Sequence, residues 1–356
     1  MSTERHSLKV TKQQGQKTLD LASQLKLVDW KFEIQRDRVF LYIPLLNQPS
    51  EQDLKIFKDS CINLTITASQ FEERQKRGET LVEQLRGRLS PQLLAVLPRS
   101  IDFVGSIAIV EIPRELRVHQ KIIGEVILKS NRNVHTVLSK MGAVNGTFRT
   151  RAFDFLAGEQ TTVTTHKENG CQYRVDIAKV YFSPRLSHEH QRVASSVQEG
   201  ETVIDLFAGV GPFAILIART HENVQVYAVD ANPHAVEYLE TNIRINRVIG
   251  KIHPLSGNAR QVISGKTSGI ADRVIMNLPG KAMEFVDVAS RAIRERGGIL
   301  HFYFFTDSSN SLETVKARFV EVVEKSGRNV KRIIGERIVR ETAPYQAQAV
   351  LDIEVG

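Results

Sequence analysis

From about Gly200 onward, apolar and polar positions fall into two interleaved rhythms. Short apolar runs, ETVIDLFAG, VQVYAVD, ADRVIMNLP and GGILHFYFF, are separated by stretches with helical spacing such as PFAILIART and NPHAVEYLETNIRIN. Runs bounded by Gly, Pro and Asn read as buried strands, and their alternation with helices predicts βαβ units in a parallel, doubly wound sheet. Upstream the rhythm changes. SIDFVGSIAIVEIP and KIIGEVILKS read as strand and helix, and TTVTTHKENGCQYRVDIAKVYFSP as two strands about a turn at Asn169 and Gly170. Nearer the start, TLDLASQLKLVD is helix-like, KFEIQRDRVFLYIPL reads as a hairpin, and FEERQKRGETLVEQLRGRL is charged and helical. The expected organisation is a small N-terminal α+β domain (1–75), an α+β middle domain (76–180) and a Rossmann-type α/β domain (181–356). No internal repeat or low-complexity segment interrupts it.

Composition adds limits to this picture. A chain of 356 residues exceeds the size at which one core comfortably keeps growing, in keeping with several domains. With 42% hydrophobic and 25% charged residues it has the make-up of a soluble globular protein. No apolar run approaches the roughly 20 residues needed to span a bilayer, and MSTERHSLKV lacks a signal-peptide core, so a cytoplasmic protein without membrane association is expected. Cys61 and Cys171 stand far apart in no C-x-x-C pattern; they are expected as reduced thiols, and no metal site is expected. The net charge of +8 favours a polyanionic partner, of which nucleic acid is the commonest.

The candidate chemistry begins at Asp205-Leu206-Phe207-Ala208-Gly209-Val210-Gly211-Pro212-Phe213, a strand ending in a glycine-rich turn that opens a helix. Gly209-x-Gly211-x-x-Ala214 also fits a dinucleotide fingerprint. Three features favour S-adenosylmethionine (AdoMet) instead. Asp205 lies at the strand end, where a carboxylate attracts a sulfonium or ammonium group and repels a pyrophosphate. Asp230, followed by Ala231, ends the next strand and can accept from both ribose hydroxyls, a feature shared with NAD sites. Asn258 and Ala259 follow the third strand, where a side chain meets the adenine amino group, and Asn277-Leu278-Pro279-Gly280 ends the fourth. Each Asp taken alone reads more readily as a helix-capping or loop carboxylate. Together the four strand ends outline an AdoMet site of Phe207, Ala208, Gly209, Val210, Gly211, Asp205, Asp230, Ala231, Asn258, Ala259 and Asn277. The Asn277 turn resembles the Asn-Pro-Pro-aromatic motif of enzymes that methylate planar nitrogens, in which the Asn side-chain carbonyl accepts from the base.

Those residues, with His166-Lys167-Glu168-Asn169-Gly170, Tyr181-Phe182-Ser183-Pro184-Arg185-Leu186 and the looser Arg38-Val39-Phe40-Leu41-Tyr42-Ile43-Pro44, resemble the archaeal and eukaryotic tRNA (guanine-37-N1)-methyltransferase family over nearly the whole chain. The resemblance implies an N-terminal tRNA-recognition domain, a middle domain and an unknotted Rossmann-type class I methyltransferase domain. It implies methyl transfer from AdoMet to N1 of guanosine 37; a monomer is expected. N1 of guanine is scarcely acidic at neutral pH, so this reaction needs a general base and a donor to O6. By resemblance Glu189 accepts the N1 proton and Arg149 donates to O6, with Arg151 in reserve. Asn277 holds the base, Tyr181 orders guanine or cofactor by packing, Pro279 shapes the loop beneath, and Arg185 contacts the tRNA backbone. Glu189 also sits where a first-turn carboxylate simply meets a helix dipole.

Two positions depart from the family pattern: His190 replaces a frequent second basic residue, and Asn258 replaces a frequent Asp. Basic residues such as Lys9, Lys12, Lys17 and those between Arg74 and Arg88 are available for phosphate contacts that offset the extrusion of a stacked base. The nearest alternative keeps fold and cofactor but belongs to the wyosine pathway on the same nucleotide, as a dual N1/C7 methyltransferase or an aminocarboxypropyl transferase. A tRNA-binding protein with a vestigial cofactor fold and an NAD-dependent oxidoreductase are more distant readings.

Overall fold

A computed structural model of the chain describes residues 2–60, 62–73, 79–146, 148, 150–307, 311–343 and 345–356. They divide into two units, 1–80 and 81–356. In the first, β1 (Ser2–Thr11), α1 (Lys12–Gln24), β2 (Gln35–Arg36), β3 (Phe40–Pro44), α2 (Glu51–Asp59) and β4 (Leu64–Glu72) form an antiparallel sheet ordered β2-β3-β1-β4 with two helices. Alternate residues Leu8, Val10 and Ile43 face a core closed by Ala22 and Phe57. The expected hairpin is β2–β3. Its turn is fixed by Asp37, whose Oδ1 accepts from the backbone N–H groups of Val39 and Phe40 at 2.8 and 2.7 Å.

The helix expected across 71–89 is a correction. Phe71 and Glu72 end β4, residues 74–78 and Cys61 lie outside the described residues, and helix resumes only at α3 (Leu81–Leu85). Phe71 is fully buried in the strand, and burial there outweighs the helical charge pattern downstream.

The second unit begins with α3, α4 (Pro91–Ala95), β5 (Ile101–Val104), β6 (Ile107–Val110), α5 (Gln120–Ser130), β7 (Thr136–Asn145) and β8 (Thr150–Gly158). These strands form a sheet ordered β5-β6-β7-β8, with β6 and β7 parallel. The hairpin β9 (Val163–Glu168) and β10 (Cys171–Asp176) follows; Asn169 and Gly170 turn it at φ +48° and +75°, as expected for a tight turn of this composition.

The remaining elements are α6 (Ser187–Ser196), β11 (Thr202–Asp205), α7 (Pro212–Thr220), β12 (Gln225–Asp230), α8 (Pro233–Ile245), β13 (Ile252–Ser256), α9 (Ala259–Val262), β14 (Arg273–Met276), α10 (Val286–Ala292), β15 (Gly298–Thr306), α11 (Leu312–Lys325), β16 (Val330–Ala343) and β17 (Gln346–Val355). The sheet order is β13-β12-β11-β14-β15-β17-β16, parallel through β15 and antiparallel at β17 and β16. Period-two alternation sends Val203, Ala228 and Ile275 to one face, among Val193, Phe213 and Leu239 of α6, α7 and α8. Ile204, Val229 and Met276 go to the other, among Ala289 and Phe319 of α10 and α11. Chain order reverses between β11 and β14. Ligands of such sheets bind beyond the carboxyl ends of the strands at that point. No helix among the described residues is long and apolar enough to cross a membrane.

Candidate functional site

Beyond β11 the chain turns through Gly209 and Gly211, at φ +55° and +92°. A Cβ at Gly211 would come within 2.5 Å of Leu239 Cδ1, so only glycine lets α7 start this close to α8. Pro212 takes the first helical position, where its missing N–H costs nothing. The turn is tied to the next strand end: Asp230 Oδ2 accepts from the Gly209 N–H at 2.7 Å, and its Oδ1 from that of Asn232 at 2.8 Å. Burial raises the Asp230 pKa against those two bonds. Asp205 is fully buried; its Oδ1 accepts from the Phe207 N–H at 3.2 Å and its Oδ2 has no partner. Burial pushes its pKa up to about 7, opposed by the Phe207 N–H and aided by the charge of Asp230.

A cavity of about 570 Å³ opens over these strand ends, lined by Phe207, Gly209, Asp230, Ala231, Asn258, Ala259, Asn277, Leu278, Pro279 and Phe285, among others. Phe207 and Phe285 meet edge to face at 5.1 Å and form an apolar wall. Of the residues expected around the cofactor, Asp205, Ala208, Val210 and Gly211 do not line this space. They support it from behind, each essentially buried. Asn258 caps α9, its Oδ1 accepting from the Arg260 N–H at 2.9 Å. The oxygen expected to accept from an adenine amino group is thus already engaged by the start of that helix.

A second cavity of about 370 Å³ adjoins the first and shares Tyr181, Phe305 and Arg340 with it. Asp102, Glu111, Lys140, Arg151, Phe153 and the block Phe182 to Arg185 line it, so strands β5, β7 and β8 face the catalytic sheet here. Arg185 is engaged, donating from Nε to Asp102 Oδ1 at 2.6 Å, and Lys140 stands 3.3 Å from the same carboxylate. Arg149 lies outside the described residues. Two residues that sequence reading missed link the cavities. Arg340 donates to Ser183 Oγ at 3.0 Å, to the Tyr181 hydroxyl at 3.1 Å and to Gln348 Oε1 at 2.9 Å. Gln348 Nε2 in turn donates to Asn277 Oδ1 at 3.2 Å. The available signal was Gln348 itself, a polar residue inside the apolar run Ala347 to Leu351.

Glu189, in the first turn of α6, is 2% exposed and lines neither cavity. Its Oε1 accepts from the Tyr303 hydroxyl at 2.6 Å and from Arg192 at 2.7 Å, and its Oε2 pairs with Arg337. Arg192 bridges on to Asp352, Asp352 to His301, His301 to Arg273 and Arg273 to Glu201. Arginine only donates, so the Arg273 contact makes His301 Nε2 an acceptor and leaves the proton on Nδ1, facing Asp352. Burial raises the Asp352 pKa, but His301 and Arg192 outweigh it and hold the group at about 2. His190 bonds Glu168 at 2.7 Å and packs edge to face on Phe213 at 4.6 Å, so it locks α6 to β9.

Three family models match successive parts of the chain: the tRNA methyltransferase 5 N-terminal domain over 7–59, the TYW2 N-terminal domain over 81–161, and the TRM5/TYW2 methyltransferase domain over 164–331. The tRNA (guanine(37)-N(1))-methyltransferase Trm5b of Pyrococcus abyssi is 36% identical over 350 residues, 98% of this chain and 99% of the relative. The chain belongs to the archaeal and eukaryotic tRNA (guanine(37)-N1)-methyltransferase family. The Trm5b of Methanocaldococcus jannaschii, another member, is 34% identical over 98% of both chains. Among solved structures, wild-type Trm5b from P. abyssi matches with TM-score 0.70, 35% identity and 99% coverage of each chain. A Trm5 enzyme in complex with tRNA-Leu matches with TM-score 0.67 and 32% identity, over 98% of this chain and 99% of that one. The M. jannaschii Trm5 solved with adenosine matches at TM-score 0.63 and 32% identity, covering 98% of both. The expected mixed α/β class with a C-terminal methyltransferase domain agrees with these matches.

Proposed function

We propose that this chain transfers the methyl group of AdoMet to N1 of guanosine 37 in tRNA. The observation that carries the reading is the continuity of the two cavities at Tyr181 and Arg340: a cofactor-sized space over the strand ends opens onto a smaller space walled by aromatic and basic side chains. The residues present fit the cofactor. A buried carboxylate oxygen of Asp205 without a partner suits a cationic ligand nearby, Asp230 suits the ribose, and Asn258 with the Phe207–Phe285 wall suits an adenine. When bound there, AdoMet supplies an electrophilic methyl group.

The chain's own residues do the rest. Tyr181 and Pro279 confine the base, Asn277 holds its polar edge, and Arg149 or Arg151 donates to O6 as negative charge develops. Glu189 takes the N1 proton. In the resting arrangement its Oε2 is covered by Arg337, whose side chain is 42% exposed, so this role requires the Arg337 guanidinium to withdraw when tRNA arrives. Residues 76–180 and 181–356 together frame the base, while residues 1–75 and the cation of Arg185 meet the rest of the tRNA. We take the enzyme to act as a cytoplasmic monomer.

The test is transfer of labelled methyl to two otherwise identical unmodified transcripts with guanosine or adenosine at position 37. Transfer to the guanosine transcript alone is expected; equal labelling of both, or of neither, overturns the reading. A similar Saccharolobus solfataricus protein, 33% identical over 72% of this chain, is named tRNA 4-demethylwyosine(37)-methyltransferase Taw21. Labelling only of a wyosine-precursor tRNA would move this chain to that branch.

A further inference from the structure

The hydrogen-bond chain from Arg340 to Asn277 has a fixed polarity. Arginine has donors only, so the Gln348 atom facing Arg340 Nε must be its carbonyl oxygen. The other end of that amide, Nε2, therefore faces Asn277 and can only donate. It follows that Asn277 turns its Oδ1 toward Gln348. Among the described residues its Nδ2 makes no hydrogen bond, and it belongs to a residue lining the cofactor cavity beside Tyr181 and Phe305, where the two cavities meet. The expectation that the Asn277 carbonyl is turned to accept from the base is thereby reversed.

The backbone makes this arrangement rigid. Gln348 is 1% exposed and sits in the middle of three strands, opposite Phe305 of β15 and Arg340 of β16. Arg340 is itself held at three points, by Gln348, Ser183 and Tyr181. A bulge between Ile338 and Arg340 shifts the register of β16 just before the arginine, and bulges commonly re-aim a side chain beside an active site.

We propose that Arg340 and Gln348 are positioning residues that lock the Asn277 amide with its N–H groups toward the substrate, selecting a purine that carries a carbonyl next to the methylated ring nitrogen. Guanine presents O6 as an acceptor there; adenine presents an amino donor. The inference rests on the function proposed above and adds the means by which the site tells the two purines apart.

The test compares guanosine with 6-thioguanosine at position 37, since sulfur is a weaker acceptor than oxygen while the N1 proton remains. The quantity read is the ratio of kcat/KM for the two transcripts, in wild type and variants. Intrinsic reactivity differences between the bases cancel when variants are compared. Gln348→Glu keeps the Arg340 partner but offers Asn277 an acceptor, so Asn277 flips and turns its carbonyl to the base. The guanosine preference should shrink by about fivefold, the size of one neutral hydrogen bond. Gln348→Met and Arg340→Met, which leave the amide free to turn, should lower it less. Arg340→Lys, still a pure donor, should keep it. AdoMet affinity by calorimetry and the thermal midpoint report whether each variant is folded. A ratio unchanged in Gln348→Glu, with only the overall rate reduced, overturns the proposal, because a merely structural glutamine would slow both substrates alike. Wild-type enzyme inactive on the guanosine transcript would instead overturn the proposed function itself, and this inference with it.

Discussion

Exchange of Asp205 for asparagine removes a buried negative charge while keeping the shape of the side chain. Burial raises the Asp205 pKa from 3.8 to about 7, a shift of about 3 units. At 1.36 kcal/mol per unit, ionising this group costs the free folded protein about 4 kcal/mol above pH 7. The direction follows from the raised value: the folded state holds the proton more tightly than the unfolded one. The cost is thus absent below pH about 4, grows between about 4 and 7, and is complete above 7. Asparagine escapes it, but its Nδ2 occupies the place of an oxygen that has no partner, and an unsatisfied buried amide costs about 1–3 kcal/mol. The variant should therefore be more stable than wild type by about 1–3 kcal/mol at pH 8.5, whereas at pH 5, where ionisation costs wild type about 1.6 kcal/mol, the two should lie within about 1.5 kcal/mol of each other. Urea unfolding of both proteins without cofactor, at the two pH values, measures this. A variant less stable at both would refute the reasoning, because Asp205 would then be ionised and well compensated. The same substitution should weaken AdoMet binding at pH 8.5 despite the gain in stability.

Three further outcomes follow from the geometry. Glu189→Gln should reduce single-turnover methyl transfer by about 10²- to 10⁴-fold if Glu189 is the general base; retention of the rate within tenfold would leave it only the charge-balancing role seen beside Arg192 and Arg337. Arg192→Met should destabilise the fold by about 3–5 kcal/mol, since it strips a partner from the buried carboxylate of Glu189 and from Asp352. Asp352 has a lowered pKa of about 2, so its contribution is present above pH about 4 and is lost as pH falls toward 2; acid titration of the two proteins should converge there. Gly211→Ala should lower the thermal midpoint and AdoMet affinity together, because its Cβ meets Leu239 and its φ of +92° is strained for alanine.

The doubly wound sheet was legible because buried parallel strands read as apolar runs closed by glycine, proline or asparagine, as at Asp205 to Gly211 and Asn277 to Gly280. The hairpin at Asn169 and Gly170 was legible from its turn chemistry. Strand β1 was not: Ser2 to His6 are polar and pair with β4, some 60 residues away, through backbone groups that leave no mark in the side chains. Phe71 was absorbed into a helical charge pattern for the same reason. At the site, residues on the glycine turn were visible, but which of them face the ligand was not. Asp205, Ala208, Val210 and Gly211 turned out to support the cavity from behind. Arg340 left no mark in the sequence, and the one hint, polar Gln348 in an apolar run, gains its meaning only when β16 lies antiparallel to β17. The orientation of the Asn277 amide depends in turn on that pairing.

The most direct measurement is mass analysis of the nucleosides from an unmodified guanosine-37 transcript after reaction with AdoMet carrying a deuterated methyl group. The expected product is 1-methylguanosine with intact label, mapped to position 37. An unmodified guanosine at that position, or a product carrying the aminocarboxypropyl group in place of the labelled methyl, would contradict it.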